Sequence, residues 1–78
     1  MGKAGQALKK VLETYEISQN QLAVIMQTAR SNVHRWINET RDPTAEAVLE
    51  IRDGLERINP NAAKDFIKLY LGDSVEEY

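Results

Sequence analysis

The sequence has no cysteine, so neither a disulfide nor a thiolate metal site can brace it. It has one histidine, His34, and a single imidazole makes no metal centre. No glycine-rich phosphate loop, internal repeat or low-complexity tract occurs. The carboxylates are spread over solvent-facing positions without the pairing that acid–base catalysis needs, which argues against an enzyme and against a bound cofactor. Long apolar runs are missing too. The opening MGKAGQALKK resembles neither a signal peptide nor an anchor, and no later stretch approaches membrane-spanning length. The expected location is cytoplasmic, away from membranes. A chain of 78 residues is expected to form one domain, residues 1–78, with no room for a separate sensing unit. Its stability should be on the order of 5 kcal/mol, held by helix packing and by a partner subunit.

What the chain does contain is unevenly placed. The net charge is −2, yet residues 1–41 carry +3 and residues 42–78 carry −5. Such asymmetry suits one face that meets a polyanion and another that faces away; chance imbalance between two solvated faces is the plainer reading.

Apolar residues recur at helical spacing, and no segment alternates like a half-buried strand. The fold class expected is all-α, a compact bundle of five helices. The first spans 3–15, with Leu8, Val11, Leu12 and Tyr15 inward. Ser18 followed by Gln21 has the form of a capping box and starts a helix over 19–26, with Leu22, Ala23 and Met26 inward. Residues 27–29 break the pattern. A third helix over 30–37 turns Val33 and Trp36 inward. Pro43 is expected in the first turn of a fourth helix that runs to Ile58 and buries Val48, Leu49, Ile51 and Leu55. Gly54 within it points to a close helix contact. Asn59-Pro60 starts a fifth helix over 60–71, with Ala63, Phe66, Ile67 and Tyr70 inward and Gly72 as its cap. The acidic tail DSVEEY is expected to fray.

Two short helices joined by a three-residue break, about 18–37, have the spacing of a helix-turn-helix. The stretch ISQNQLAVIMQTARSNVHRWINETRDPTAEAVLEIRDGL, residues 17–55, resembles the lambda-repressor-like (Cro/C1, or XRE) helix-turn-helix family over about half of the chain. Ile17, Ser18, Gln19, Leu22 and Ala23 match its hydrophobic-Ser-Gln-x-x-Leu-Ala start. Arg30, Ser31, Val33, Arg35 and Trp36 match its second helix, and Arg41 and Pro43 its Arg-x-Pro finish. The resemblance implies a transcriptional regulator, a repressor by family habit, that binds double-stranded DNA in sequence-specific fashion with helix 30–37 in the major groove. It implies base contacts from Arg30, Ser31, Asn32, His34 and Arg35, and backbone contacts from Gln19, Thr28, Asn38, Thr40 and Arg41. The side-chain chemistry is compatible: arginine pairs bidentately with guanine, which makes Arg30 and Arg35 the leading readers. Ser31 and Asn32 could bond bases or phosphates. The implied partner is a pseudo-palindromic operator bound by a homodimer, with helix 60–71 as the candidate dimer surface.

The sequence departs from the family pattern in three places. Gln27 replaces the usual turn glycine, which costs about 1 kcal/mol if the backbone there is left-handed. Ala29 replaces the usual Ser or Thr cap, which leaves Thr28 as an alternative cap that would shift the helix start. Val24, Ile25 and Ile37 are apolar where the family is polar, either closing over the first helix or forming a contact surface. The last option supports an alternative function of another class: a protein-interaction module, or an antitoxin, that keeps the fold with weak DNA binding. Ordinary readings stand beside the functional ones. Trp36 is expected in the core rather than as a stacking platform. Phe66 and Tyr70 are core candidates, Tyr70 with a dimer interface as its other option. Lys9 and Lys10 are solvated residues or phosphate contacts, and Arg35 could pair with Glu39.

Overall fold

The computed structural model describes residues 3–38 and 40–72. Among them are five α-helices and no strand: α1 (Lys3–Tyr15), α2 (Gln19–Met26), α3 (Arg30–Ile37), α4 (Ala45–Ile58) and α5 (Pro60–Leu71). Helix packing closes a circuit in which α1 lies on α3, α3 on α2, α2 on α4, α4 on α5 and α5 on α1. Every helix supplies the centre of that circuit: Leu8 and Val11, Leu22, Val33, Ile51 and Leu55, and Phe66 are fully buried. The radius of gyration is 11.4 Å, close to the ~11.5 Å expected of a folded chain this long. Among the described residues no helix is long and apolar enough to cross a membrane.

The helix boundaries follow local chemistry. The α1 and α2 ends share one device. The Glu16 and Ile17 amides donate back to the Glu13 and Leu12 carbonyls, and the Gln27 and Thr28 amides to those of Val24 and Ala23. This Schellman pattern needs a left-handed residue after the helix. Glu16 (φ 56°) and Gln27 (φ 58°) take that role without being glycine. The strain expected at Gln27 is therefore present, and Glu16 carries a second instance that the sequence did not signal. The Ser18 hydroxyl accepts from the Gln21 amide at 2.9 Å, as its cap role requires.

Two expectations for α4 need correction. Pro43 precedes the helix rather than entering it. Thr44 is the cap, extended at φ −70° and ψ 168°, and its hydroxyl accepts from the Ala47 amide at 3.1 Å. A side-chain cap stabilises a start more directly than a proline that merely tolerates one. Leu49 is not buried but 51% exposed. One residue beyond Val48, it falls about 100° round the helix from the stripe of Val48, Ile51 and Leu55. Gly54 does mark a close contact: a Cβ there would lie 2.9 Å from Met26 Cγ and 3.3 Å from Leu22 Cδ1, so α4 meets α2 across its bare backbone.

In α5, Asn59 Oδ1 accepts from the Asn61 amide at 3.0 Å and Pro60 opens the helix. Phe66 is buried, Ile67 and Tyr70 are half-buried, and the Phe66 and Tyr70 rings stack at 6.3 Å. The Tyr15 hydroxyl donates to Asp65 Oδ2 at 2.5 Å, tying the end of α1 to α5. That bond to a carboxylate raises the Tyr15 pKa above 10.0, with burial and the Asp65 charge adding to it. The tail DSVEEY lies outside the described residues.

Candidate functional site

The polar residues singled out in the sequence gather on α3 and its two flanks. The inner face of α3 is apolar: Val33, Trp36 and Ile37 are buried. Trp36 is thus core, at 8% exposure. The remaining arc of the helix is polar throughout. Arg30, Ser31, His34 and Arg35 are exposed, Asn32 is half-buried, and Asn38 follows on the same side. An eight-residue helix is about 12 Å long, so this arc forms a single short ridge.

The start of α3 is bare. Ala29 occupies the cap position, extended at φ −73° and ψ 140°, and makes no side-chain cap bond. Thr28 does not cap in its place, and the helix start is not shifted. Its hydroxyl instead accepts from Asn32 Nδ2 at 2.9 Å, while the Asn32 amide donates to the Ala29 carbonyl. The α3 start lies beside the α2 start. Ser18, Gln19 and Asn20 from the first turn of α2, with Arg30 from α3, line a cleft of about 350 Å³. The start of α2, the positive end of its dipole, and the Arg30 guanidinium therefore meet there, a setting that favours an anion. Asn20 belongs to this cleft and was not singled out from the sequence. Its place beside Gln19 in a capped first turn was the available signal. Gln19 is half-buried, and its Oε1 atom is buried with no hydrogen-bond partner among the described residues.

Further along α3, polar side chains bond one another. Asn32 Oδ1 accepts from Arg35 Nη1 at 3.2 Å. Asn38 Nδ2 lies 2.9 Å from the His34 carbonyl and 2.9 Å from His34 Nε2. The carbonyl can only accept, so the Asn38 amide must present its N–H₂ group here. Nε2 must then accept as well, which puts the proton of a neutral His34 on Nδ1. Beyond α3, Thr40 folds back: its amide and its hydroxyl both donate to the Arg35 carbonyl, at 3.1 and 3.3 Å. Arg41 is exposed beside it. Glu39, the expected partner of Arg35, lies outside the described residues.

The apolar departures divide. Ile37 is buried and Ile25 half-buried, while Val24 stands 65% exposed on the outside of α2. Among the described residues no group of three or more histidine, cysteine, aspartate or glutamate side chains could hold a metal ion. Comparison with protein families, curated proteins and solved structures finds no match for this chain.

Proposed function

We propose that this chain is a sequence-specific double-stranded DNA-binding regulator of the lambda-repressor-like kind, acting in the cytoplasm. In this reading α2 and α3 are a helix-turn-helix, and α3 enters the major groove. The observation that carries it is the cleft where the starts of α2 and α3 converge on Arg30, continuous with the polar arc of α3. A phosphate suits the cleft, and base edges suit the arc. A helix about 10–12 Å in diameter fits a groove about 12 Å wide. Arg30 and Arg35 read guanines, Ser31 and His34 contact neighbouring groups, and Gln19, Thr40 and Arg41 approach the backbone. One short helix reads few base pairs, so the reading includes a homodimer, joined through α5, on half-sites about 34 Å apart.

Selection from a random duplex library at physiological salt, with wild type and Arg30→Ala in parallel, tests this. An enriched palindrome that loses its preference at defined positions with Arg30→Ala is the expected result. Losing one bidentate arginine contact should cost about 1–3 kcal/mol of discrimination. Binding should also weaken steeply with salt, by a slope of about −0.9 per phosphate contacted. No enrichment from a protein still helical by circular dichroism would reject the reading.

Val24 favours a second reading. A valine 65% exposed on the outside of α2 suits a protein-interaction module or antitoxin that uses α2 against a protein partner. Binding held by an apolar patch would vary little with salt, which separates the two readings in the same experiment.

A further inference from the structure

Asn32 sits one turn into α3, among side chains that the proposed reading assigns to bases. Its amide is already engaged at both ends. Nδ2 donates backwards to Thr28 Oγ1 at 2.9 Å, in the turn before the helix. Oδ1 accepts forwards from Arg35 Nη1 at 3.2 Å. Asparagine reads adenine by presenting its oxygen and nitrogen together to one base edge. Here the two atoms point in opposite directions along the helix, and the residue is half-buried while Arg35 is exposed. We propose that Asn32 is not a base reader but a positioning residue: with Thr28 it forms a clamp that aims the Arg35 guanidinium before DNA arrives. The inference rests on the DNA-binding reading above, and it replaces one of the base contacts expected from the sequence.

The physical gain is preorganisation. A free arginine samples many rotamers, and binding must suppress them; a guanidinium already hydrogen-bonded to its own helix loses less on docking. One Nη1 bond leaves the other guanidinium donors for a guanine edge. Thr28 anchors the clamp to the turn. The Thr28 amide is itself fixed on the Ala23 carbonyl at 3.0 Å, so the position of Arg35 is referred to the end of α2.

Two measurements on the full chain test the clamp. The first is side-chain ¹⁵N relaxation of arginine Nε in the protein without DNA. In wild type Arg35 should be more ordered than in Asn32→Ala, with Arg30 as the unchanged internal control. The second is base preference in the duplex selection, compared for wild type, Arg35→Ala, Asn32→Ala and Asn32→Asp. Asn32→Ala should lower the guanine preference at the same base pair as Arg35→Ala, by roughly 2- to 10-fold, the range expected for ordering one long side chain. Asn32→Ala added to Arg35→Ala should cost nothing further at that base pair. Asn32→Asp, which still accepts from Arg35 and can accept from the Thr28 hydroxyl in place of donating to it, should keep the preference. A merely structural loss would lower affinity for every sequence and leave the preference unchanged. Loss of preference at a different base pair would make Asn32 a reader in its own right and overturn the proposal. Unchanged Arg35 order in Asn32→Ala would overturn it as well. If wild type enriches no sequence, the DNA reading fails, and the relaxation data alone decide whether the clamp exists.

Discussion

Helices α3 and α4 lie in the same small bundle but are held in different ways. α4 has 14 residues, a bonded threonine cap, Glu46 in its first turn and Arg57 in its last, each charge suited to the dipole end it occupies. α3 has eight residues, an alanine cap without a side-chain bond, and a left-handed glutamine three residues before it. An isolated helix that short does not form in water. α4 is specified largely by its own sequence, whereas α3 is specified by the core beneath it. The difference teaches where local rules are relaxed. The helix whose outer arc is wholly polar is the one whose start lacks the side-chain cap that α2, α4 and α5 have, while its far end is bonded by Asn38 and Thr40.

The strongest test of that contrast removes the anchor of α3. Trp36→Ala should cost about 3–5 kcal/mol, enough to unfold most of a domain whose stability is on the order of 5 kcal/mol. Thr44→Ala, which removes the α4 cap, should cost only about 1 kcal/mol. Urea unfolding followed by circular dichroism measures both. Similar losses would mean that α3 does not depend on the core more than α4 does.

The next effect lies where the two regions meet. Gly54 lets α4 approach α2, and a side chain there would strike Met26 Cγ and Leu22 Cδ1. Gly54→Val should destabilise by about 1–3 kcal/mol through overpacking. Gly54→Ala should cost less, because alanine recovers about 1 kcal/mol of helix propensity. A Gly54→Val variant as stable as wild type would show that the α2–α4 contact yields easily.

The same contrast explains what could be read from the sequence. The α2, α4 and α5 starts were legible to within a residue or two through Ser18, Pro43 and Asn59-Pro60, because caps and prolines act within a few residues. Even so, Pro43, expected inside the first turn of α4, stands one residue before its cap, since proline and a following threonine both announce a start and only the hydroxyl bonds the helix. Leu49 was misassigned because an apolar residue next to a buried one reads as part of its stripe, although the helical angle turns it outward. Glu16 carried no signal: a left-handed carboxylate residue looks like any other before it is folded. In the candidate site, the exposure of Arg30, Ser31, His34 and Arg35 followed from helical period. The mutual bonding of Thr28, Asn32 and Arg35, and of His34 and Asn38, depends on rotamers that composition and spacing leave open.

Smaller effects should follow from giving α3 the local support it lacks. Ala29→Ser supplies a hydroxyl for the first-turn amides and should stabilise by about 1 kcal/mol. Gln27→Gly relieves the left-handed strain but loosens the unfolded chain, so its gain should be somewhat less, about 0.5–1 kcal/mol. Each kcal/mol should raise the melting temperature by about 4–8 °C in a domain of this size. Thermal melts that show no rise with Ala29→Ser would mean that the α3 start is already satisfied, and the contrast with α4 would narrow.

The smallest effect concerns how far polar bonds reach. Those of α3 extend at most five residues along the chain, whereas Tyr15–Asp65 joins residues 50 apart. Local bonds shape one ridge; the long one fastens α1 to α5. Its pH dependence has a definite sign. The bond to the Asp65 carboxylate, then burial, then the Asp65 charge raise the Tyr15 pKa above 10.0 in the folded state. A group with a raised folded pKa contributes its full stability below the unfolded value and loses it as pH rises through the folded value. Wild type should therefore be more stable than Tyr15→Phe by a constant margin at neutral and mildly alkaline pH, and that margin should shrink above about pH 10. Comparing the two proteins by urea unfolding at pH 8 and pH 11 cancels the lysines and other tyrosines that titrate in both. A margin unchanged at pH 11 would mean that the Tyr15 hydroxyl does not donate to Asp65 in solution, and that the α1–α5 packing rests on apolar contact alone.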